Sequence, residues 1–314
     1  MKDTLEELRH RLQQSVERNP GEAVLLSGGL DTSILALLSS TRIGLNMRLN
    51  GYGEDLKYAR MLAAKLGLRL CTERISVEEA IETIPDVIGI MESFDPALPN
   101  DLAIYLGLRS AREKGIRSVI TGDGADELFA GYSYMFDLDL KEYLPRLSEK
   151  MRFSSNRLGD HMGIEIKQPF LDKDLVDFAL SINPELKVRK HNGQRVGKWI
   201  LREAFSSRLP GEIAWQTKRP IEMGSGFSKL HDIIGDMIPD SEIAEARKNL
   251  PVDFLSKDHL FYYKTYRHEV GEIPLPRTGE AACPGCGTGI APNGNHCRVC
   301  GWSRRIQTWK QRAA

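Results

Sequence analysis

The chain has no apolar run approaching the ~18 residues that a membrane-crossing helix needs, so no helical membrane protein is expected. It also lacks a basic segment leading into an apolar core at its start. Met1-Lys2-Asp3-Thr4-Leu5-Glu6-Glu7-Leu8 is acidic and amphipathic, and no targeting signal is read there. Neither sign of charge is in excess, with Lys+Arg and Asp+Glu at 43 each, which removes a global field toward nucleic acid or membrane. Cysteine is scarce, with 5 in 314 residues, and four of them stand in two Cys-x-x-Cys pairs, a spacing that in a chain without a secretory signal favours metal over disulfides. One stretch is short of acid. From Ala281 onward there is no Asp or Glu, while Arg298, Arg304, Arg305, Lys310 and Arg312 are basic. These absences leave a soluble, cytoplasmic protein with a neutral-to-acidic body and a small basic tail. Its length suggests two domains, or one large domain with an appendage.

What is present begins with alternation of strands and helices. Leu5, Leu8, Leu12 and Val16 recur at helical spacing in an N-terminal amphipathic helix over 1–20, which Asn19-Pro20-Gly21 ends. Short apolar runs at 23–26, 43–49, 68–72 and 116–121 read as strands. Helical patterns fall between them at 31–40, 54–66, 77–91 and 99–114. This order predicts an α/β fold with a doubly wound parallel sheet. After Tyr132 the strand signal fades, and 137–254 reads as a helical second half with loops near Gly159, Gly193 and Gly224-Ser225-Gly226. Pro and Gly mark residues 271–280 as a linker between a body at 21–270 and a small C-terminal unit at 281–314.

The first strand runs into Ser27-Gly28-Gly29-Leu30-Asp31-Thr32-Ser33. Two glycines let the backbone approach an anion, and the next helix aims its N–H groups at it. Ser27, Thr32 and Ser33 add hydroxyls. Asp31 would repel a phosphate unless a cation lies between them, so it suits Mg²⁺ on a polyphosphate. No Lys follows the second glycine, which excludes a Walker A loop. A second turn, Thr121-Gly122-Asp123-Gly124-Ala125-Asp126-Glu127, follows another strand and should open onto the same crevice.

These two loops, together with Glu165-Ile166-Lys167-Gln168-Pro169-Phe170-Leu171-Asp172, resemble the synthetase (ATP pyrophosphatase, PP-loop) domain of the asparagine synthetase B family. The likeness continues through Asn156-Arg157 and Gly197-Lys198-Trp199-Ile200-Leu201-Arg202-Glu203-Ala204 to Lys218, covering roughly residues 20 to 235 in order. It implies an adenine nucleotide alpha hydrolase-like fold and ATP–Mg²⁺ binding, with Asp31 and Asp126 as magnesium ligands. It further implies that Lys218 stabilises charge on departing pyrophosphate. Asp123 stands where this family usually has Glu, or Tyr in its β-lactam synthetase branch, and the 218–226 spacing is that of the branch. Catalytic candidates are thus Lys218, Asp123 and Glu165, the last in an otherwise apolar stretch where a buried paired carboxylate is the plainer reading. Fixed cations such as Lys198, Lys218 and Arg219 are what adenylation of a carboxylate needs as charge builds on the leaving oxygen.

The sequence departs from that family at both ends. Lys2 stands where the glutaminase nucleophile Cys would follow Met1, and only about twenty residues precede the phosphate loop. The expected nitrogen source is therefore free ammonia, an amine, or a separate glutaminase subunit. The expected acceptor is aspartate or an analogue. At the other end, Cys283-x-x-Cys286 and Cys297-x-x-Cys300 form a four-thiolate zinc ribbon by spacing. Its basic residues with Trp302 and Trp309 suit RNA contact. A zinc-ribbon, tRNA-modifying sulfurtransferase is the competing function. Its difficulty is that Cys71 is the sole thiol in the body.

Overall fold

The computed structural model describes residues 1–304. The N-terminal half contains α1 (Lys2–Arg18), β1 (Ala23–Leu25), α2 (Leu30–Leu38), β2 (Ile43–Leu49), α3 (Leu56–Leu66), β3 (Arg69–Ile75), α4 (Val77–Met91), α5 (Leu98–Glu113) and β4 (Ser118–Ile120). Then follow α6 (Ala125–Phe129), α7 (Leu140–Ser148), α8 (Ser154–Met162), β5 (Glu165–Lys167), α9 (Lys173–Ser181), the hairpin β6 (Arg189–His191) and β7 (Gln194–Val196), and α10 (Trp199–Phe205). The remainder is α11 (Gly211–Ala214), α12 (Ile221–Ser225), α13 (Leu230–Met237), α14 (Asp240–Asn249), α15 (Lys257–Glu269), β8 (Ala281–Ala282) and β9 (Gly289–Ile290). No described helix is long and apolar enough to cross a membrane.

Five strands form one parallel sheet in the order β3-β2-β1-β4-β5. The chain winds outward from β1 through β2 to β3, then returns to the other side of β1 as β4. The direction of winding therefore reverses between β1 and β4, and the loops after those two strands part to form a crevice. β1 is buried along its length because helices cover both faces. One face packs Leu8, Leu12 and Val16 of α1 with Val24, Leu26, Ile34 and Ile200. The other packs Leu45, Met47, Ile84, Leu102 and Leu106 with Tyr262 and Tyr266 of α15.

The fifth strand has no counterpart in the periodicity reading. Its three residues are too few for an alternation signal, and pairing to β4 makes it a strand. Gly159 lies inside α8 rather than in a loop. A Cβ there would fall 2.6 Å from Ile166 Cγ1 and 2.8 Å from Ile164 O, so glycine serves a close helix–strand approach.

The C-terminal unit is docked onto the body, where linker composition predicts separation. Cys283, Cys286, Cys297, Cys300 and Trp302 belong to the same apolar cluster as α4, α5 and α15, and Ile273 packs against it. Asp253 N donates to Gly285 O at 2.8 Å, and Phe94 N donates to Val299 O at 2.7 Å. Of the basic and aromatic residues assigned to RNA contact, Arg305, Trp309, Lys310 and Arg312 lie outside the described residues.

Candidate functional site

The loop after β1 is shaped by two demands on glycine. Gly28 has φ 86°, and a Cβ there would come within 2.8 Å of both Asp55 O and Ala59 N at the start of α3. Gly29 N donates to Ser27 Oγ at 3.1 Å, and Ser27 Oγ lies 3.1 Å from Thr32 Oγ1. Gly29 also caps α2 with no side-chain acceptor, so the first N–H groups of that helix remain for an anion. Ser33 is fully buried, and its Oγ has no hydrogen-bond partner among the described residues.

The loop after β4 touches the first one. A Cβ on Gly122 would lie 3.2 Å from Asp31 Cβ and 3.3 Å from Thr32 Cγ2. Asp123 is fixed through one oxygen, Oδ2, which accepts from Thr121 Oγ1 and Ser155 Oγ, each at 2.6 Å, and from Gln168 Nε2 at 2.9 Å. Asp126 sits in the first turn of α6, buried beneath the loop. A Cβ at Gly131 would be 1.9 Å from Asp126 Oδ1 and 2.4 Å from Lys198 Cε, so no larger residue fits while those two meet.

Between the loops stands Lys198. Its Nζ is 2.6 Å from Asp31 Oδ2 and 2.7 Å from Asp126 Oδ1, and Lys218 Nζ reaches Asp126 Oδ2 at 3.0 Å. Burial disfavours the Lys198 ammonium, but Asp126 and Asp31 more than offset it and hold its pKa above the ordinary lysine value. Burial likewise opposes the Asp126 carboxylate, and Lys198 and Lys218 carry its pKa below the ordinary value. Asp31 Oδ1 is buried with no hydrogen-bond partner among the described residues, whereas both oxygens of Asp126 are paired with the lysines. An orphaned carboxylate oxygen on a phosphate-type loop, with a second carboxylate facing it, fits a hard divalent cation such as Mg²⁺.

Lys218 is delivered by a segment clamped from three sides. The buried Arg202 guanidinium donates to Gly197 O at 2.9 Å, Ala214 O at 2.7 Å and Gln216 O at 3.0 Å. Gln216 Nε2 donates to Gly28 O at 2.9 Å, tying the segment to the first loop. Arg219 pairs with Asp55 at 2.6 Å and lies over the Tyr58 ring. Burial pushes the Asp55 carboxyl above its ordinary value, and Arg219 only partly offsets this.

These elements enclose a cleft of about 330 Å³. Ser27, Gly29, Leu30, Asp31 and Thr32 line it from one loop, and Gly122, Asp123, Gly124 and Asp126 from the other, with Lys218 opposite. Gly28 and Ser33 of the first loop do not line it. Asn100 and Ile104 of α5 also line it, with Arg152, Phe153, Ser154 and Ser155 at the start of α8. A narrow slot, lined by Leu25, Leu45, Met47 and Ala103 with the polar Arg48 and Asp55, adjoins it.

Glu165 is not brought in. It opens β5, beside Ser118 at the strand ends away from the crevice, and its side chain is 66% exposed beside Lys167. Ligands in such sheets bind at the carboxyl ends of strands, and there β5 delivers Gln168 to Asp123 instead. Glu165 is therefore neither in the cleft nor a buried paired carboxylate. The bridging place of Lys198 is the main feature that sequence reading left unassigned. Its signal was a lysine flanked by Gly197 and Trp199, which marks a left-handed turn only after the fact (φ 54°). Cys71 lies in β3, partly buried against the core and away from the cleft, so no thiol is available there for sulfur transfer.

The four ribbon cysteines converge. Their sulfur atoms lie within 4.8 Å of one another, with Cys283–Cys300 at 3.7 Å and Cys286–Cys297 at 3.8 Å. Those spacings match the ~3.8 Å edge of a tetrahedron whose Zn–S bonds are about 2.3 Å. All four are buried, which suits a closed structural zinc site.

A family model described as asparagine synthase matches residues 7–154 and 135–270. The chain belongs to the asparagine synthase family. Asparagine synthetase B [glutamine-hydrolyzing] of Escherichia coli (strain K12) is 30% identical over 307 residues, covering 87% of this chain and 55% of that protein. Asparagine synthetase [glutamine-hydrolyzing] 1 of Arabidopsis thaliana is 29% identical over 294 residues, 83% and 50% of the two chains. That of Triphysaria versicolor is 32% identical over 231 residues, 65% and 39%. The chain spans about half the length of the first two relatives.

Proposed function

We propose that the protein is an ATP-dependent, AMP- and pyrophosphate-forming amide ligase. It would adenylate a small carboxylate, aspartate or an analogue, and pass the acyl group to an amine nitrogen. The observation that carries this reading is the junction of Asp31, Asp126, Lys198 and Lys218 between two glycine loops at the reversal point of the sheet. The loops would cradle the polyphosphate through backbone N–H groups. Asp31 and Asp126 would hold Mg²⁺, which supplies charge neutralisation on the phosphates. Lys218, at the cleft surface, is placed to meet negative charge as it develops on the leaving oxygens. Asp123 is held as a hydrogen-bond acceptor by three donors, facing the acceptor side. It suits orienting an ammonium or amine, and accepting its proton during attack.

The test is a pyrophosphate-release assay on the purified protein across amino acids, with and without ammonium. Release that depends on one carboxylate, with amide formed when ammonium is present, supports the reading. ATP binding without pyrophosphate release from any carboxylate tested would refute it.

A further inference from the structure

The second cysteine knuckle grips the turn that leads into α5. Val299 O, flanked by Cys297 and Cys300, accepts from Phe94 N at 2.7 Å and from Ser93 Oγ at 3.3 Å. Beside it, Asp95 has one oxygen on each side of the seam. Oδ2 accepts from His296 Nε2 at 3.1 Å, and Oδ1 accepts from Ala97 N at 2.9 Å, at the first residues of α5. Gly301 packs so closely that a Cβ there would fall 2.4 Å from Asp95 Oδ1. Phe94 is buried, packing on Tyr263 at 5.4 Å and Tyr266 at 5.1 Å, so the turn cannot slide independently of α15. Further along α5, Asn100 and Ile104 line the cleft.

We propose that Asp95 is a positioning residue, through which the four-cysteine site fixes the first turn of α5 and with it the acceptor wall of the cleft. The reason is geometric. Holding all four thiolates on one ion fixes the knuckle backbone, and Val299 O and His296 ride on that backbone. Phe94 anchors the turn at 93–97 to α15 from one side, and the hydrogen bonds of Ser93, Phe94 and Asp95 tie it to the knuckle from the other. The acceptor assignment rests on the function proposed above, whereas the mechanical link does not.

The experiment uses the full chain. Amide hydrogen exchange is followed with zinc bound and after chelation, and chelation should speed exchange at 93–101 by at least tenfold together with the ribbon. If the ribbon alone loses protection, the link is refuted. Asp95→Ala should keep its zinc, raise KM for the acceptor carboxylate about tenfold, and leave kcat and KM for ATP within about twofold. Asp95→Asn keeps one acceptor for Ala97 N and turns an amide N–H toward His296 Nε2, which can accept in its other tautomer, so it should bring the KM back to within about twofold of the parent. Parent-like kinetics in Asp95→Ala, or equal losses for ATP and acceptor, would overturn the positioning role. If the parent releases no pyrophosphate with any carboxylate, the proposed function fails, while the exchange data still judge the link.

Discussion

Lys198 and Lys218 share one carboxylate: Asp126 presents Oδ1 to the first at 2.7 Å and Oδ2 to the second at 3.0 Å. The two lysines differ in setting. Lys198 is 3% exposed and structural to the junction, whereas Lys218 is 32% exposed and faces the cleft. Their substitutions should therefore separate.

Lys218→Met should leave ATP affinity nearly unchanged and slow the chemical step by about 10²-fold, the loss typical of a removed charge-stabilising group. Single-turnover AMP formation set beside calorimetric ATP binding checks this. Normal turnover would remove Lys218 from the chemistry.

Lys198→Met should destabilise the fold by about 3–5 kcal/mol, because two buried carboxylates lose their shared cation. Urea unfolding measures it. Millimolar Mg²⁺ should raise the melting temperature of this variant more than that of the parent, since the ion can replace the lost charge between Asp31 and Asp126.

Asp101, in the first turn of α5, is driven by burial to a pKa of about 6 despite its hydrogen bond with Ser154. A carboxyl whose folded pKa lies above its unfolded value of 3.8 binds protons more tightly when folded, so stability falls as pH rises from about 4 through about 6. Asp101→Asn should thus be the more stable protein at pH 7.5, by up to about 3 kcal/mol. The advantage should vanish near pH 3.5. Thermal melts of both proteins across that range decide the sign.

Zinc analysis should return about one ion per chain, the stoichiometry of a four-thiolate site. Cys297→Ser should lower the stability of the whole protein in a single cooperative transition, because the knuckles share their core with α4, α5 and α15. A variant that loses zinc but melts like the parent would show the ribbon to be energetically separate.

Much of this architecture was legible in the sequence. The limits of β2 and α4 follow from periodicity alone, and the loop residues from Ser27 to Thr32 and from Gly122 to Asp126 are where glycine and carboxylate chemistry predicts a polyphosphate site. What escaped depended on contacts far apart in the chain. β5 exists only by pairing with β4. Glu165 looked buried because its neighbours are apolar, but it begins its strand at the wrong end. Residues 271–280 have the composition of a free linker, yet Ile273 finds the core and the cysteines follow it. Local pattern reports what a segment can do alone, and these three are fixed by their partners.

The junction of Asp31, Asp126, Lys198 and Lys218 has one further consequence. Two carboxylates and two ammonium groups make it electrically neutral before any ligand arrives. A bare polyphosphate would therefore bring an uncompensated multiple negative charge into a partly dry pocket, at a large electrostatic cost. A polyphosphate that carries its own divalent counterion brings far less. Nucleotide and metal should accordingly enter as one complex, and nucleotide affinity should follow the free magnesium concentration until the complex predominates in solution.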